Sequence, residues 1–207
     1  MSLEIWLAFV VACAILLVVP GPTILTVISY SIARGKSAYL PLIAAVSFGD
    51  LTALSISIAG LGVILKTSSW VFTLVKWLGG LYLIVLGLQM LFSKKQSVDV
   101  KPDSQPTSNT SLFINTWLIT ALNPKGMIFF LAFFPQFINP NLETTPQLLI
   151  LSITFIVLAA LNTIMYAVFA GHARQLLSSP KNQSRFNLFG GSLLTVAGLW
   201  ALSAQRE

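Results

Sequence analysis

From Ile5 to Ala33 the chain runs without one Asp, Glu, Lys or Arg. Five further stretches are nearly as bare. Ser37 to Leu65 is interrupted only by Asp50, Thr67 to Ser93 only by Lys76, and Ser104 to Leu142 only by Lys125, while Thr144 to Ala173 and Phe186 to Gln205 carry no charge. A helix needs about 20 mostly apolar residues to cross a bilayer, and each stretch supplies them. The expected spans are 4–28, 39–65, 70–92, 112–137, 147–171 and 187–204. Only 9% of the 207 residues are charged, against about 25% in a soluble domain. With a mean hydropathy of +0.84, the chain cannot cover a soluble surface, which excludes a cytosolic enzyme, a secreted domain and a disordered protein. The first stretch is too long for a cleaved signal and its only early charge is Glu4, so it is expected to stay as a helix. The net charge of +6 comes from basic residues scattered between apolar runs. They read as loop charges and not as a nucleic-acid surface. The single cysteine, Cys13, excludes an internal disulfide framework.

Orientation follows from the loop cations, which favour the cytoplasmic side. Arg34 and Lys36 follow the first span, Lys94, Lys95 and Lys101 follow the third, and Arg174, Lys181 and Arg185 follow the fifth. The other side has only Lys66 and Arg206. Both termini are therefore expected outside. Trp6, Trp70, Trp117 and Trp200 fall near span ends, where an aromatic belt sits. Residues 93–111, SKKQSVDVKPDSQPTSNTS, are polar with no apolar face to bury, and read as a mobile cytoplasmic linker.

The two halves on either side of this linker resemble each other. Gly79–Leu91 reads GGLYLIVLGLQML and Gly190–Leu202 reads GGSLLTVAGLWAL, a shared G-G-x-x-L-x-V-x-G-L-x-x-L. Pro20-Gly21-Pro22 interrupts the first span and Asn123-Pro124 the fourth. Each half is thus a broken helix, a plain helix and a glycine-led helix. An odd number of spans per half forces the halves into opposite orientations, a design that recurs in transporters with the substrate near the midplane. The expected architecture is all-α, with six transmembrane helices in one domain, 1–207. Repeat one covers about 1–92 and repeat two about 112–207. The glycines are expected to let helices approach closely, and they leave room for a homodimer.

Polar residues inside the spans mark the candidate site. Proline removes a backbone donor and clashes with the turn before it. Non-helical backbone at membrane depth is tolerated only where it is buried in protein or lines a cavity. Pro20, Gly21 and Pro22 should open the first span, and Asn123 and Pro124 the fourth, whose half-helix would present free N–H groups near Lys125. Asp50, mid-way along the second span, costs about 2.5–3.5 kcal/mol to insert. Such a residue usually faces a substrate or ion path, although a structural ion pair with Lys125 would also account for it. Lys125 at a helix N-terminus opposes the macrodipole and calls for a carboxylate. Thr23, Thr26, Asn123, Asn162 and Tyr166 can complete a polar pocket. Lys76 is expected to snorkel, and His172 to be a loop residue. No His, Cys or carboxylate cluster has metal-ligand spacing, no phosphate loop occurs, and neither a metal nor a cofactor is expected.

At these residues the chain resembles the LysE/RhtB amino-acid exporters. The resemblance rests on Pro20-Gly21-Pro22, Phe48-Gly49-Asp50 and Leu122-Asn123-Pro124-Lys125 in that order, and covers nearly the whole chain. It implies efflux of amino acids or close derivatives, driven by the proton gradient, from the bacterial inner membrane. In the expected scheme a zwitterion binds between the first, second and fourth spans. Its ammonium competes for Asp50 and its carboxylate meets Lys125 or a half-helix N-terminus. A proton arriving on Asp50 from outside releases it. The mostly aliphatic and aromatic surroundings favour a neutral substrate such as homoserine, threonine or leucine. Two other readings stand beside this one: a divalent-metal or other ion exporter, and a non-transporting membrane assembly protein that docks through its glycine faces.

Overall fold

The computed structural model describes residues 1–67, 69–92, 108–139 and 141–203. Most of the linker expected at 93–111 lies outside them, as do the side chains of Lys76 and Trp200. The described chain is all-helical and contains no strand. It runs through α1 (Leu3–Val18), α2 (Pro22–Arg34), a 3-10 turn at Gly35–Ala38, α3 (Tyr39–Thr67) and α4 (Ser69–Phe92). After the linker come α5 (Asn109–Ala121), α6 (Pro124–Phe133), a 3-10 turn at Phe134–Phe137, α7 (Thr144–Val168), α8 (Ala170–Ser178) and α9 (Pro180–Ser203).

Local chemistry sets many of these boundaries. Ser2 caps α1 by accepting from the Ile5 N–H at 3.4 Å, and Ser108 caps α5 by accepting from the Ser111 N–H at 3.1 Å. Asn123 caps α6, and Pro124 occupies its first position, where the missing N–H costs nothing. The chain leaves helix between Val18 and Pro22, so the stretch expected as one span at 4–28 is a pair, α1 and α2, and α2 runs on to Arg34. Gly35 ends α2 with φ at +60°, a conformation that suits glycine. The end of the stretch expected at 147–171 differs as well. Phe169 interrupts α7, and the amphipathic α8 follows as a separate helix that includes His172.

Among the described residues, Pro22–Gly60 and Thr144–Val168 are long and apolar enough to cross a membrane. The pair Asn109–Ala121 and Pro124–Phe137, bent by 44°, makes a third crossing if it acts as one span. Large apolar side chains such as Leu40, Phe92, Ile153 and Phe189 are exposed around the outside. A surface this apolar is unusual for a water-soluble monomer and matches hydrocarbon.

Two features hold the helices together. The first is an aromatic cluster of Phe9, Phe129, Phe130, Phe133, Phe134, Phe137 and Phe155, drawn from α1, α6, the following 3-10 turn and α7. Phe130 meets Phe155 edge-on at 4.7 Å, and Phe129 stacks on Phe133 at 5.0 Å. The cluster fills the end of the molecule that carries loop 138–143. Gln147 pins that loop by accepting from Asn139 N–H and donating to the Asn139 and Glu143 carbonyls.

The second is the seam between α4 and α9, where the shared glycine motifs face each other. A Cβ on Gly87 would lie 2.6 Å from the Gly191 carbonyl oxygen, and one on Gly191 would lie 2.7 Å from that of Gly87. A Cβ on Gly198 would lie 2.6 Å from the Gly80 carbonyl oxygen. Gly80 thus meets Gly198 while Gly87 meets Gly191, which makes the helices antiparallel. Aligning the motifs matches Gly80 with Gly191 and Gly87 with Gly198, so each contact becomes the other when the halves are exchanged. This is the self-complementary pattern of a two-fold interface. The glycines expected to leave room for a homodimer are used inside the chain.

Replacing Gly87 by Ala is expected to force α4 and α9 apart. Overpacking of this kind costs about 1–3 kcal/mol, and thermal unfolding in detergent should show a clear fall in Tm. Gly60→Ala, where no atom lies within 4 Å of the added Cβ, should not lower Tm.

Candidate functional site

The site follows from what two prolines do to α1. In a continuous helix the N–H of residue i bonds to the carbonyl of residue i−4. Pro20 therefore deprives the Leu16 carbonyl of its donor, and Pro22 that of Val18. Once the chain turns away at Val19, the carbonyls of Leu17 and Val19 lose their donors too. Four carbonyl oxygens, at residues 16 to 19, are left at the end of one helix in apolar surroundings, where an unpaired carbonyl is expensive.

Side chains from the second half of the chain satisfy all four. Lys125 Nζ donates to the Leu16 carbonyl at 2.8 Å and to that of Val19 at 2.7 Å. Asn162 Nδ2 donates to the Leu17 carbonyl at 3.2 Å, and the Tyr166 hydroxyl to that of Val18 at 2.8 Å. The Lys125 charge thus sits at the C-terminal end of α1, the end whose partial negative charge favours a cation. This answers the conflict expected for a lysine at the start of α6, and the partner is backbone, not Asp50. Among the described residues no carboxylate forms a direct ion pair with Lys125.

The other break closes on itself. Asn123 N–H bonds to the Thr120 carbonyl at 3.1 Å, which replaces the donor that Pro124 lacks, and Leu122 N–H bonds to the Leu118 carbonyl at 3.0 Å. The Asn123 side chain accepts from Lys125 N–H at 3.1 Å. One of the N–H groups expected to be free at this half-helix is therefore taken. The end without a side-chain cap belongs to α2, which starts after Gly21. Asn123 Nδ2 also donates to Thr23 Oγ1 at 3.3 Å and so ties the two breaks together.

Between the breaks lies a cavity of about 50 Å³. Gly21, Thr23, Asp50, Asn123, Lys125 and Asn162 all line it. Pro20, Pro22 and Pro124 do not, and act on it through the backbone they break. Asp50 is buried, and no hydrogen bond to its carboxylate occurs among the described residues. It is near enough to Lys125 for their charges to attract across the cavity. Gly49 beside it allows α3 to approach α5, since a Cβ there would lie 2.5 Å from Thr120 Cβ. Thr26 returns its hydroxyl to the Pro22 carbonyl of its own helix and does not line the cavity. Of the wall built by α7, sequence reasoning named Asn162 but missed Phe155, Ala159 and Thr163, which line the cavity beside it. Their spacing of four along a helix was a readable signal.

The cavity has an aromatic side and a polar side. The phenylalanine cluster fills the side toward loop 138–143. Toward Arg34, α2 and α5 carry the buried Ser31 and Thr116 hydroxyls, which have no hydrogen-bond partner among the described residues, and Tyr30 bonded to Asn115 at 2.8 Å. A volume of about 50 Å³ holds a few waters and no amino acid.

The sequence model of the LysE type translocators matches residues 14–205. An uncharacterized membrane protein of Vibrio cholerae is 29% identical over 99% of this chain and all of its own length. A homoserine/homoserine lactone efflux protein of Salmonella typhimurium is 30% identical over 99% of both chains. A leucine efflux protein of Klebsiella pneumoniae is 31% identical over 67% of this chain and 66% of its own. No solved structure matches the chain.

Removing one carbonyl donor should be felt across the protein. Tyr166→Phe leaves the Val18 oxygen, at the apolar outer surface, without its donor, and should cost about 1–3 kcal/mol. Thr26→Ala, which breaks only a bond within one helix, should cost under about 0.5 kcal/mol. Denaturation of the two variants in detergent, side by side, measures the difference.

Proposed function

Because the chain belongs to the LysE type translocator family, we propose that it is a secondary-active exporter of amino acids or close derivatives, driven by proton antiport. Neutral substrates of the size of homoserine, threonine or leucine suit it best. The observation that carries this reading is the cavity between the two helix breaks, which brings a buried carboxylate, a buried ammonium, backbone carbonyls held only by side chains and an uncapped helix start into one small space. A zwitterion offers both charges that such a lining can bind. The efflux proteins of homoserine/homoserine lactone and of leucine among its relatives point the same way.

In this scheme the substrate ammonium enters the field of Asp50. Its carboxylate takes Lys125 and the N-terminal end of α2, where anions are favoured. Asp50 is the proton carrier: protonation from outside removes the charge that holds the ammonium, and deprotonation toward the cytoplasm restores it. One charge crossing 100 mV is worth roughly 2.3 kcal/mol, about a fifty-fold concentration ratio at 1.4 kcal/mol per tenfold.

The proposed frame is a single domain in the bacterial inner membrane, with six spans in two inverted repeats and both termini outside. The α1–α2 pair, α3 and α4 form repeat one; the α5–α6 pair, α7 and α9 form repeat two. The exchange symmetry of the glycine contacts between α4 and α9 supports it, as does the matching order of the elements. With the termini outside, the phenylalanine cluster closes the outer route and the polar face of α2 and α5 leads to the cytoplasm. The molecule is then closed on the outside. A docking role for the glycine faces is disfavoured, because they meet each other, and a homodimer would have to use another surface.

The test is efflux from proteoliposomes loaded with a panel of labelled amino acids, with and without an imposed proton gradient. Gradient-stimulated efflux of a small neutral set is expected, and no efflux of any amino acid from folded protein refutes the reading. In the same assay Asp50→Asn should keep its fold and lose stimulation by the gradient. Full coupling in that variant would remove Asp50 from the mechanism.

A further inference from the structure

The carbonyls at the end of α1 form a cradle for a primary ammonium, and one already lies in it. Lys125 Nζ is held at 2.8 and 2.7 Å by the Leu16 and Val19 oxygens. An ammonium on a single carbon has three N–H donors, and Lys125 uses two of them on these carbonyls. Asp50 lines the same cavity, buried, with no hydrogen bond among the described residues. Two carbonyls and a carboxylate are the acceptor set that one –NH3⁺ group requires.

The space around the cradle makes occupancy exclusive. The cavity of about 50 Å³ cannot admit an amino acid while the lysine side chain fills it. That side chain passes over Gly21, whose absent Cβ leaves Cδ and Nζ each 3.8 Å from where it would stand. It is a flexible stem with no carboxylate clamped to it among the described residues, and so it is the part of the wall able to move. Asn162 and Tyr166 hold the neighbouring carbonyls with neutral groups. The cation alone is exchangeable for a substrate cation at no change in net charge.

We infer that Lys125 is an internal stand-in for the substrate: the α-ammonium of the exported amino acid displaces the Lys125 ammonium from the Leu16 and Val19 carbonyls, and the released lysine pairs with the substrate carboxylate. This rests on the export reading above and goes beyond it by naming backbone as the ammonium site and Lys125 as its occupant in the empty carrier. The empty carrier is closed because its cradle is filled. The substrate must carry a free primary ammonium; N-acylated amino acids and quaternary betaines lack the donors to replace the lysine.

Lys125→Ala removes the three side-chain carbons and the nitrogen that propylammonium would restore. Purified in detergent, this variant should gain several degrees in Tm with propylammonium chloride, and none with tetramethylammonium chloride at the same ionic strength. The parent protein, its cradle filled, should gain none with either. Absence of a propylammonium shift in folded Lys125→Ala, or an equal shift with tetramethylammonium, overturns the inference. A second measurement needs no variant. Reductive methylation of Lys125 in the parent protein, followed by mass spectrometry, should rise several-fold with an amino acid that the protein exports and not with its N-acetyl derivative. An unchanged rate with an exported amino acid also overturns it. The two readings fail separately. Export without a propylammonium shift removes the cradle alone, and a propylammonium shift without export of any amino acid removes the export reading alone.

Discussion

Four backbone carbonyls at the end of α1 need donors, and the helix that made them cannot supply any. Pro20 and Pro22 have no N–H to give, and no solvent is at hand in a bilayer interior. The structure answers with Lys125, Asn162 and Tyr166, all from the second half of the chain. A local defect in one half is thereby completed by the other, so neither half can form its interior alone. Such a contact is more than adhesion. Backbone oxygens that depend on side chains for their partners can exchange those partners, whereas carbonyls inside a regular helix cannot.

The rest of the molecule frames this exchangeable centre with parts that do not exchange. On one side the glycine seam of α4 and α9 brings two backbones into contact, with glycine Cα atoms close to carbonyl oxygens across the seam. Small residues are how membrane helices pack without a hydrophobic drive between them. On another side the phenylalanine cluster fills the end near loop 138–143 with stacked and edge-on rings. The two breaks are unequal in a way that follows from their prolines. Asn123 N–H closes the α5–α6 break with a short turn, because only one donor is missing there. The α1–α2 break has two prolines around a glycine and cannot close, so the cavity opens beside it.

Much of this was legible in the residues. Charge-free runs announced the helices, and prolines at 20, 22 and 124 announced where they would break. Asp50 and Lys125, expensive in an apolar span, announced that they would be buried together, and both line the cavity. The shared glycine motif announced a close contact, although not that its two copies would pack on each other. What was missed follows one rule. The separate α8 and the extension of α2 to Arg34 lie at helix ends, where apolar periodicity is weak. Apart from Asn162, the wall made by α7 consists of common residues, and Asn162 and Tyr166 acquire meaning only from the carbonyls they reach across the fold.

The residues alone require that this chain is helical and apolar, that its first apolar stretch breaks at Pro20-Gly21-Pro22, and that a carboxylate and an ammonium end up inside. Each of these depends on a covalent or local property: the missing proline N–H, the run of uncharged side chains, the cost of a charge away from water. What the ammonium holds depends on how the helices pack. A lysine at the start of α6 has several partners within the reach of its stem, and the residue types favour Asp50. The fold instead brings the Leu16 and Val19 oxygens to it, because α1 ends there and its own prolines supply no donor. It likewise assigned the uncapped helix start to α2, since Asn123 can fold back on its own half-helix and Gly21 has no side chain with which to do the same.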